Sequence, residues 1–499
     1  MNLLPLFVVV PLGTAFITLI ISKLWKRSAD WIANIATIFL MAYAIYFIRF
    51  AGETITYYAG GWEPVDGIPF GIAMVADSLT IIMLLIVNVV GFGVNIYSIN
   101  YMSHYTDKPK YYTLFLLMMA GLNGVVISGD LFNLFVFLEI TAIASYALVA
   151  FGIGSEELEA SFKYQILGGT ASALILLGIA LFYFMTGTLN FADASQIISK
   201  IGTNPALVFI SILFLVGFGL KAALMPFHAW LPDAHPSAPA PISAMLSGVV
   251  IKVLGVYTLI RIFTNVFGFI NVPFIPVMFL ILGTLSMVVS AYLALGQDDY
   301  KRLLAYSSVS QIGYVMFAIG LNTPLAFLGG IFHLLNHAAS KSLLFLNSGA
   351  VVYATDNRDM NKMGGLSKKM PITAYSSLIG SLSISGIPPF GGFWSKLIII
   401  LAAVQAKHYI LSGVAVLISI VTLVYYLKSQ RLAFWGTLNS IYENVKEVPF
   451  GMSLVCIILA LLSIGMGLLL LPSLRPLLLD PTVEVLKNGL EYGKIVLGG

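Results

Sequence analysis

Apolar runs of about twenty residues, repeated from one end of the chain to the other, leave little choice of fold, because a run of that length crosses the hydrocarbon of a bilayer as a helix. Fourteen can be drawn, near 2–22, 29–50, 77–98, 111–128, 131–153, 163–186, 205–225, 240–262, 272–293, 302–320, 324–350, 371–404, 409–430 and 450–472. The twelfth is too long for one straight helix and contains Gly386, Pro388, Pro389, Gly391 and Gly392, so a break is expected there. Composition agrees. The chain is 59% hydrophobic and 10% charged, against about 25% charged in soluble domains, so too few polar side chains remain to cover a surface facing water. The fold expected is an all-α polytopic membrane protein of about 14 transmembrane helices. Met1–Ile21 lacks a basic stretch ahead of its apolar run and reads as an uncleaved first span rather than a signal peptide.

Several function classes fall away. A net charge of +4 with no dense basic cluster argues against nucleic acid. The single cysteine, Cys456, excludes a disulfide framework and an iron–sulfur cluster held by this chain alone. No GxSxG, phosphate loop, HExxH or cofactor fingerprint is present, so no catalytic residue, metal or cofactor site is assigned, and any redox chemistry belongs to partner chains.

Lys and Arg favour cytoplasmic loops. With the N-terminus outside, the loops that become cytoplasmic hold 15 basic residues, among them Lys26, Lys163, Lys301 and Arg302, and the opposite side holds 7, among them Arg49 and Arg261. The 51–76 loop on that opposite side carries Glu53, Glu63 and Asp66 and no base. The bias places both termini outside a prokaryotic cell membrane. Of the 26 basic residues, the four left over are Lys221, Lys252, Lys341 and Lys396, all inside expected spans.

A lysine at mid-membrane costs about 2.5–3.5 kcal/mol on insertion scales. Snorkelling to the interface would account for Lys396, which follows a helix break, but not for Lys221 or Lys252, which sit deep in apolar runs. Glu139 stands alone between Asp130 and Glu156. Burial disfavours the charged form of either group, and the approach of the opposite charge restores it, so a Glu–Lys pair that opens and closes can load and release a proton. The bland alternative is a neutral carboxylic acid bonded to backbone or hydroxyl. His333, His337 and Lys341 follow at i, i+4 and i+8, within one broad helical stripe near Asn336 and Ser340. Unperturbed imidazole exchanges protons near neutral pH, which makes the stripe a candidate relay. Metal ligation by the two histidines lacks a third ligand nearby.

Backbone that leaves the helix inside a membrane must line a cavity or be buried in protein. Two segments qualify, one with five prolines from Pro226 to Pro241 and one around SISGIPPFGGFWSKLIII, and each has a lysine beside it. Asp233 and His235 lie in the first and are candidates for an access path or gate. Asp77, Asp130 and Asn133 read as helix-start capping groups.

GDLFNLFVFLEI, GLKAALMPFHAWLPDAHPSAPAPISAMLSG, YKRLLAYSSVSQIGYV, FHLLNHAASKSLLF and GIPPFGGFWSKLII occur in that order. In these motifs the chain resembles, over roughly residues 70–430, the antiporter-like subunits of Mrp-type sodium/proton antiporters, of respiratory complex I, and of archaeal membrane-bound hydrogenases and sulfane reductases. The resemblance implies two inverted five-helix repeats with discontinuous seventh and twelfth helices. The chain would divide into 1–110, 111–262, 263–430 and 431–499. It implies a proton path in which Glu139 and Lys221 form an ion pair, Lys252 bridges to the centre, His333, His337 and Lys341 carry the second half, and Lys396 is terminal. It also implies other membrane subunits as partners, with iron–sulfur clusters and a metal or flavin site in a peripheral redox module. A stand-alone sodium/proton antiporter is the alternative, followed by an organic-solute transporter with a midplane cavity and by a scaffold that has lost transport. The mixed tail after Pro472 is expected to form a surface-lying helix or a subunit contact.

Overall fold

The computed structural model describes residues 4–25, 27–65, 67–105 and 107–497. Lys26 and Asp66, used above in the charge balance, lie outside them. Helices α1 (Leu6–Ile21) and α2 (Ser28–Phe47) precede a short antiparallel hairpin, β1 (Ile55–Tyr58) and β2 (Ala73–Ala76), paired from Ile55↔Ala76 to Tyr58↔Ala73. Then come α3 (Ser78–Tyr101), α4 (Lys108–Ile127), α5 (Leu131–Val149), α6 (Ser155–Thr186), α7 (Phe191–Ile201), α8 (Pro205–Lys221) and α9 (Leu231–Ser237). The helical stretch Ala240–Val266, α10, is of π type over Leu246–Val250, Lys252–Tyr257 and Ile262–Val266. The chain continues through α11 (Phe274–Leu295), α12 (Tyr300–Gly320), α13 (Pro324–Thr355), α14 (Pro371–Ser385), α15 (Gly391–Gln405), α16 (Tyr409–Ala433), α17 (Phe450–Gly465), α18 (Arg475–Asn488) and α19 (Tyr492–Leu497).

Among the described residues, ten helices are long and apolar enough to cross a membrane, and Leu6–Ile21, Pro205–Lys221 and Gly391–Gln405 are shorter apolar helices. The remaining difference from the expected fourteen has two physical causes. Helix α13 is long, but His333, Asn336, His337, Ser340 and Lys341 dilute its apolar character. The long twelfth run is divided, as expected, into α14 and α15.

Burial sorts the helices into two shells. Every residue of α13 from Ala326 to Val351 is buried, and so is the whole of α10. Around them α1, α2, α5, α6, α11, α16 and α17 expose large apolar side chains, among them Ile35, Ile143, Phe184, Ile281, Ile420 and Leu461. An apolar exterior wrapped around a polar centre inverts the soluble pattern and suits lipid as the outer solvent.

Two elements were not foreseen, the hairpin and α7. The hairpin is short, and it ties to the bundle where Gly129 N donates to Ala73 O at 2.9 Å. Helix α7 lies in what reads as a loop, capped by Asn190, whose Oδ1 accepts from the backbone N–H groups of Ala192 and Asp193. The tail helices α18 and α19 pack back onto the bundle: Asn265 Nδ2 donates to Val485 O at 2.9 Å and to Gly489 O at 3.3 Å. The expectation for the tail is met as a docked helix.

Candidate functional site

Helix α8 ends at Lys221, and the backbone then turns through Ala223 at a φ of 54°. The groups this break frees are satisfied inside the protein. Trp230 Nε1 donates to Leu220 O at 2.9 Å, and the Met225 N–H donates to Ser286 Oγ at 2.9 Å. Helix α10 approaches the break so closely that a Cβ on Gly255 would fall 2.3 Å from Ala222 Cα. At the second break, a Cβ on Gly392 would fall 1.8 Å from Ser383 O. In both places only glycine permits the contact.

Lys221 Nζ lies 3.9 Å from Glu139 Oε1. Ser172 of α6 stands between them. Lys221 Nζ donates to Ser172 Oγ at 3.0 Å, and the Ser172 hydroxyl donates to Glu139 Oε1. Tyr146 OH accepts a longer bond from Nζ at 3.4 Å. Lys221 is buried, whereas Glu139 keeps 31% of its side chain exposed on the flank of the bundle. Serine both accepts and donates, so Lys221, Ser172 and Glu139 form a connected hydrogen-bonded line.

Lys252 is fully buried on a π segment of α10, a helix irregularity frequent at functional sites, and donates to Ser247 O in the preceding turn. Among the described residues it has no carboxylate partner. On α13 the rings of His333 and His337 stack nearly parallel, 12° apart with centroids 6.3 Å distant. His333 Nδ1 is 2.9 Å from Ser395 Oγ, while among the described residues His333 Nε2 and both ring nitrogens of His337 have no hydrogen-bond partner. Lys341 Nζ donates to Leu304 O and Tyr426 OH, both at 2.9 Å. Lys396 is buried just after the second break, its Nζ 4.7 Å from the centre of the Tyr314 ring. Snorkelling therefore does not describe Lys396.

Two basic residues assigned above to loops are buried instead. Arg261 is 2% exposed and pairs with Asp77 through two bonds of 2.6 and 2.7 Å. Asp77 does cap α3, accepting from the Thr80 N–H at 2.9 Å, but the cap is also half of a buried ion pair. Asp130 caps α5 by accepting from the Asn133 N–H at 2.8 Å. Lys301 is 3% exposed and donates to Ala238 O at 2.7 Å. Both bases sit at a span end, where α10 runs past the expected boundary and α9 folds over the start of α12.

Asp233 and His235 are not brought together. Asp233 is partly exposed and pairs with Lys163 at 3.1 Å and Arg302 at 3.5 Å. His235 is fully buried against the Phe345 ring, and among the described residues neither of its ring nitrogens has a hydrogen-bond partner. Outside the membrane-spanning helices, the hydrogen bond from Lys428 holds the Asp298 carboxyl below the usual carboxylate range. Ser172, Ser395, Tyr314 and Tyr426 complete the site and have no distinctive sequence signal, since isolated serines and tyrosines are common in apolar helices.

Two family models match. Residues 128–422 match NADH:quinone oxidoreductase/Mrp antiporter, TM, and residues 62–112 match NADH-Ubiquinone oxidoreductase (complex I), chain 5 N-terminus. The chain is 35% identical to an Na(+)/H(+) antiporter subunit of Alkalihalophilus pseudofirmus, over 85% of this chain and 86% of that one. It is 34% identical to an NADH-quinone oxidoreductase subunit of Desulforudis audaxviator, over 85% and 84%. A chain of the Mrp complex from Dietzia sp. superposes with a TM-score of 0.90 at 27% identity, covering 99% of both chains. A chain of the membrane-bound sulfane sulfur reductase, an archaeal respiratory membrane complex, does so at 0.87 and 32%, again covering 99% of both. With more than half its length inside one family model, and with this fold, the chain is a multi-pass membrane protein of the NADH:quinone oxidoreductase/Mrp antiporter family.

Proposed function

We propose that this chain is a proton-translocating subunit of a multi-subunit membrane complex. The observation that carries the reading is the line from Lys221 through Ser172 to Glu139, a base, a hydroxyl and an acid in hydrogen-bond sequence inside an apolar bundle. Protons step along Glu139, Lys221, Lys252, the His337 and His333 stripe with Lys341, and Lys396. One carboxylate faces several buried bases on this path, so protonation of one base disfavours protonation of its neighbours and hands the load onward. His235 lies inward of the α9 segment and belongs to the access path, whereas Asp233 belongs to the ion pairs that hold that segment in place.

The finer architecture belongs to the same proposal. The chain crosses a prokaryotic cell membrane fourteen times with both termini outside. The stretches 111–262 and 263–430 are inverted repeats, each interrupted by one of the two breaks. The partly exposed Glu139 supports a neighbouring membrane subunit on that flank, because a carboxylate facing lipid is costly. The likeness to chains of two multi-subunit membrane complexes supports the same partner. A redox module coupled through such subunits supplies the drive.

In everted vesicles carrying the assembled complex, Glu139→Ala and Lys221→Ala are expected to abolish the coupled pH change while assembly survives. Normal pumping by an assembled Glu139→Ala complex would sink the mechanism. The likeness to the Na(+)/H(+) antiporter subunit of Alkalihalophilus pseudofirmus favours sodium/proton exchange as the second reading. A pH change driven by a sodium gradient alone, without a redox substrate, would select it.

A further inference from the structure

We propose that the cavity between the start of α6, the α9–α10 junction and the turn after α13 is the vestibule through which protons are taken up, and that Lys301 on its floor is the first residue inside to receive them. The inference rests on the proton path proposed above and adds its inlet. The cavity holds about 600 Å³ and is lined by Tyr101, at the other end of α3 from the hairpin. Its wall carries Glu156, Glu157, Asp299, Asp356 and Asp359.

Ion pairing removes most of these carboxylates from play. Arg358 bridges Glu156 at 2.9 Å and Asp299 at 3.4 Å, and its Nη1 donates to Pro236 O at 2.8 Å, holding the end of α9 in place. Asp359 lies 3.6 Å from Lys362. Glu157 and Asp356 have no ion-pair partner among the described residues, and they leave the mouth negative. A concave surface of one sign raises the local concentration of the opposite charge, here protons and protonated buffer.

The floor is built differently. Lys301 is 3% exposed and faces no carboxylate within ion-pair distance among the described residues. Its one described bond runs to Ala238 O at the hinge between α9 and α10. Behind that hinge is His235, fully buried and with neither ring nitrogen hydrogen-bonded among the described residues. The Ser243 hydroxyl fixes its backbone by donating to His235 O at 2.8 Å. A protonated vestibule carboxylic acid, or a buffer acid there, gives its proton to the free amine of Lys301 and becomes the conjugate base. The resulting ammonium passes a proton inward to His235 and returns to the amine. An imidazolium buried against the Phe345 ring holds that proton weakly and releases it to the central line.

The test uses the assembled complex in everted vesicles, with the coupled pH change read at low and at high imidazole buffer. Lys301→Met should slow transport about a hundredfold or more, the scale of a lost acid–base group, at both buffer strengths, with Lys301→Arg also impaired. The Glu157→Gln/Asp356→Asn pair should slow it about tenfold, the lower range of electrostatic focusing, at low buffer, and recover at high buffer because imidazolium then reaches Lys301 by diffusion. Wild-type transport by an assembled Lys301→Met complex overturns the proposal, as does a carboxylate pair whose rate is unchanged at low buffer. If Lys301→Met does not assemble, the carboxylate pair decides alone. Glu139→Ala separates the two readings. Its inactivity beside normal Lys301→Met transport sinks the vestibule and spares the path, and its normal transport beside a buffer-dependent carboxylate pair does the reverse.

Discussion

Replacing Ser172 with alanine removes the hydroxyl that bonds both Lys221 and Glu139. With it, each step of the line is a hydrogen bond. Without it, the remaining gap is the 3.9 Å between Nζ and Oε1, beyond hydrogen-bond reach. The charges still attract. At that separation and an effective dielectric of about 20, Coulomb's law gives roughly 4 kcal/mol, reduced because water and a neighbouring surface reach Glu139 from one side. The pair therefore stays loaded, and the loss falls on proton transfer. A positioned acid–base group contributes about 10²–10⁴-fold in rate, or about 3–5 kcal/mol of barrier. A water admitted along the exposed side of Glu139 returns part of this, so Ser172→Ala should lower the coupled pH change in everted vesicles about 10–100-fold. Ser172→Thr keeps the hydroxyl and should stay near wild type. An assembled Ser172→Ala complex that transports at the wild-type rate would refute the relay.

Other perturbations read the scaffold. Gly392→Ala places a methyl 1.8 Å from Ser383 O and should abolish stable assembly, measured as the yield of monodisperse complex in detergent, whereas Gly413→Ala, which meets nothing within 4 Å, should not. Arg261→Met leaves Asp77 buried and unpaired and should cost about 3–5 kcal/mol of stability. Adding Asp77→Leu should recover much of that loss in thermal unfolding, and no recovery would mean that the arginine acts through something other than the pair. Tyr492→Ala removes the ring 5.3 Å from the Arg261 guanidinium and should cost about 0.5–2 kcal/mol, with the C-terminal helices released first in hydrogen exchange.

What the sequence made legible follows from how strongly lipid constrains it. Long apolar runs declare the spans, so a base inside a run stands out, and Lys221, Lys252, Lys341 and Lys396 are all buried where that reasoning put them. The same reasoning failed at run ends. Arg261 and Lys301 lie within a residue or two of an expected boundary and were given to water, but α10 extends to Val266 and the α9 hinge covers Lys301. Ser172 was invisible because a helical serine in an apolar run usually bonds its own backbone, as this one also does toward Gly168 O at 3.0 Å. Its second partner comes from another helix, which hydropathy does not record. Asp233 and His235 were read together because they are neighbours in sequence. Two positions along a helix point to nearly opposite sides, one here to surface ion pairs and one to the Phe345 ring.

The hydrogen bonds along α13 divide labour among its three titratable groups. Lys341 has two of its N–H positions committed, to Leu304 O and Tyr426 OH, so only the third is free to gain or lose a proton. His333 has one nitrogen held by Ser395 and one free. His337, between them, has neither nitrogen held by any described residue, so nothing fixes its tautomer and it can take a proton from one side and release it to the other. A buried ring left without partners costs about 1–3 kcal/mol, a cost that the proposed path would account for. His337→Leu removes the unsatisfied nitrogens at similar volume. It should raise the thermal stability of the complex by up to about 1–3 kcal/mol and at the same time abolish the coupled pH change. Lost stability would mean that the ring is satisfied by ordered water, and preserved transport would remove His337 from the path.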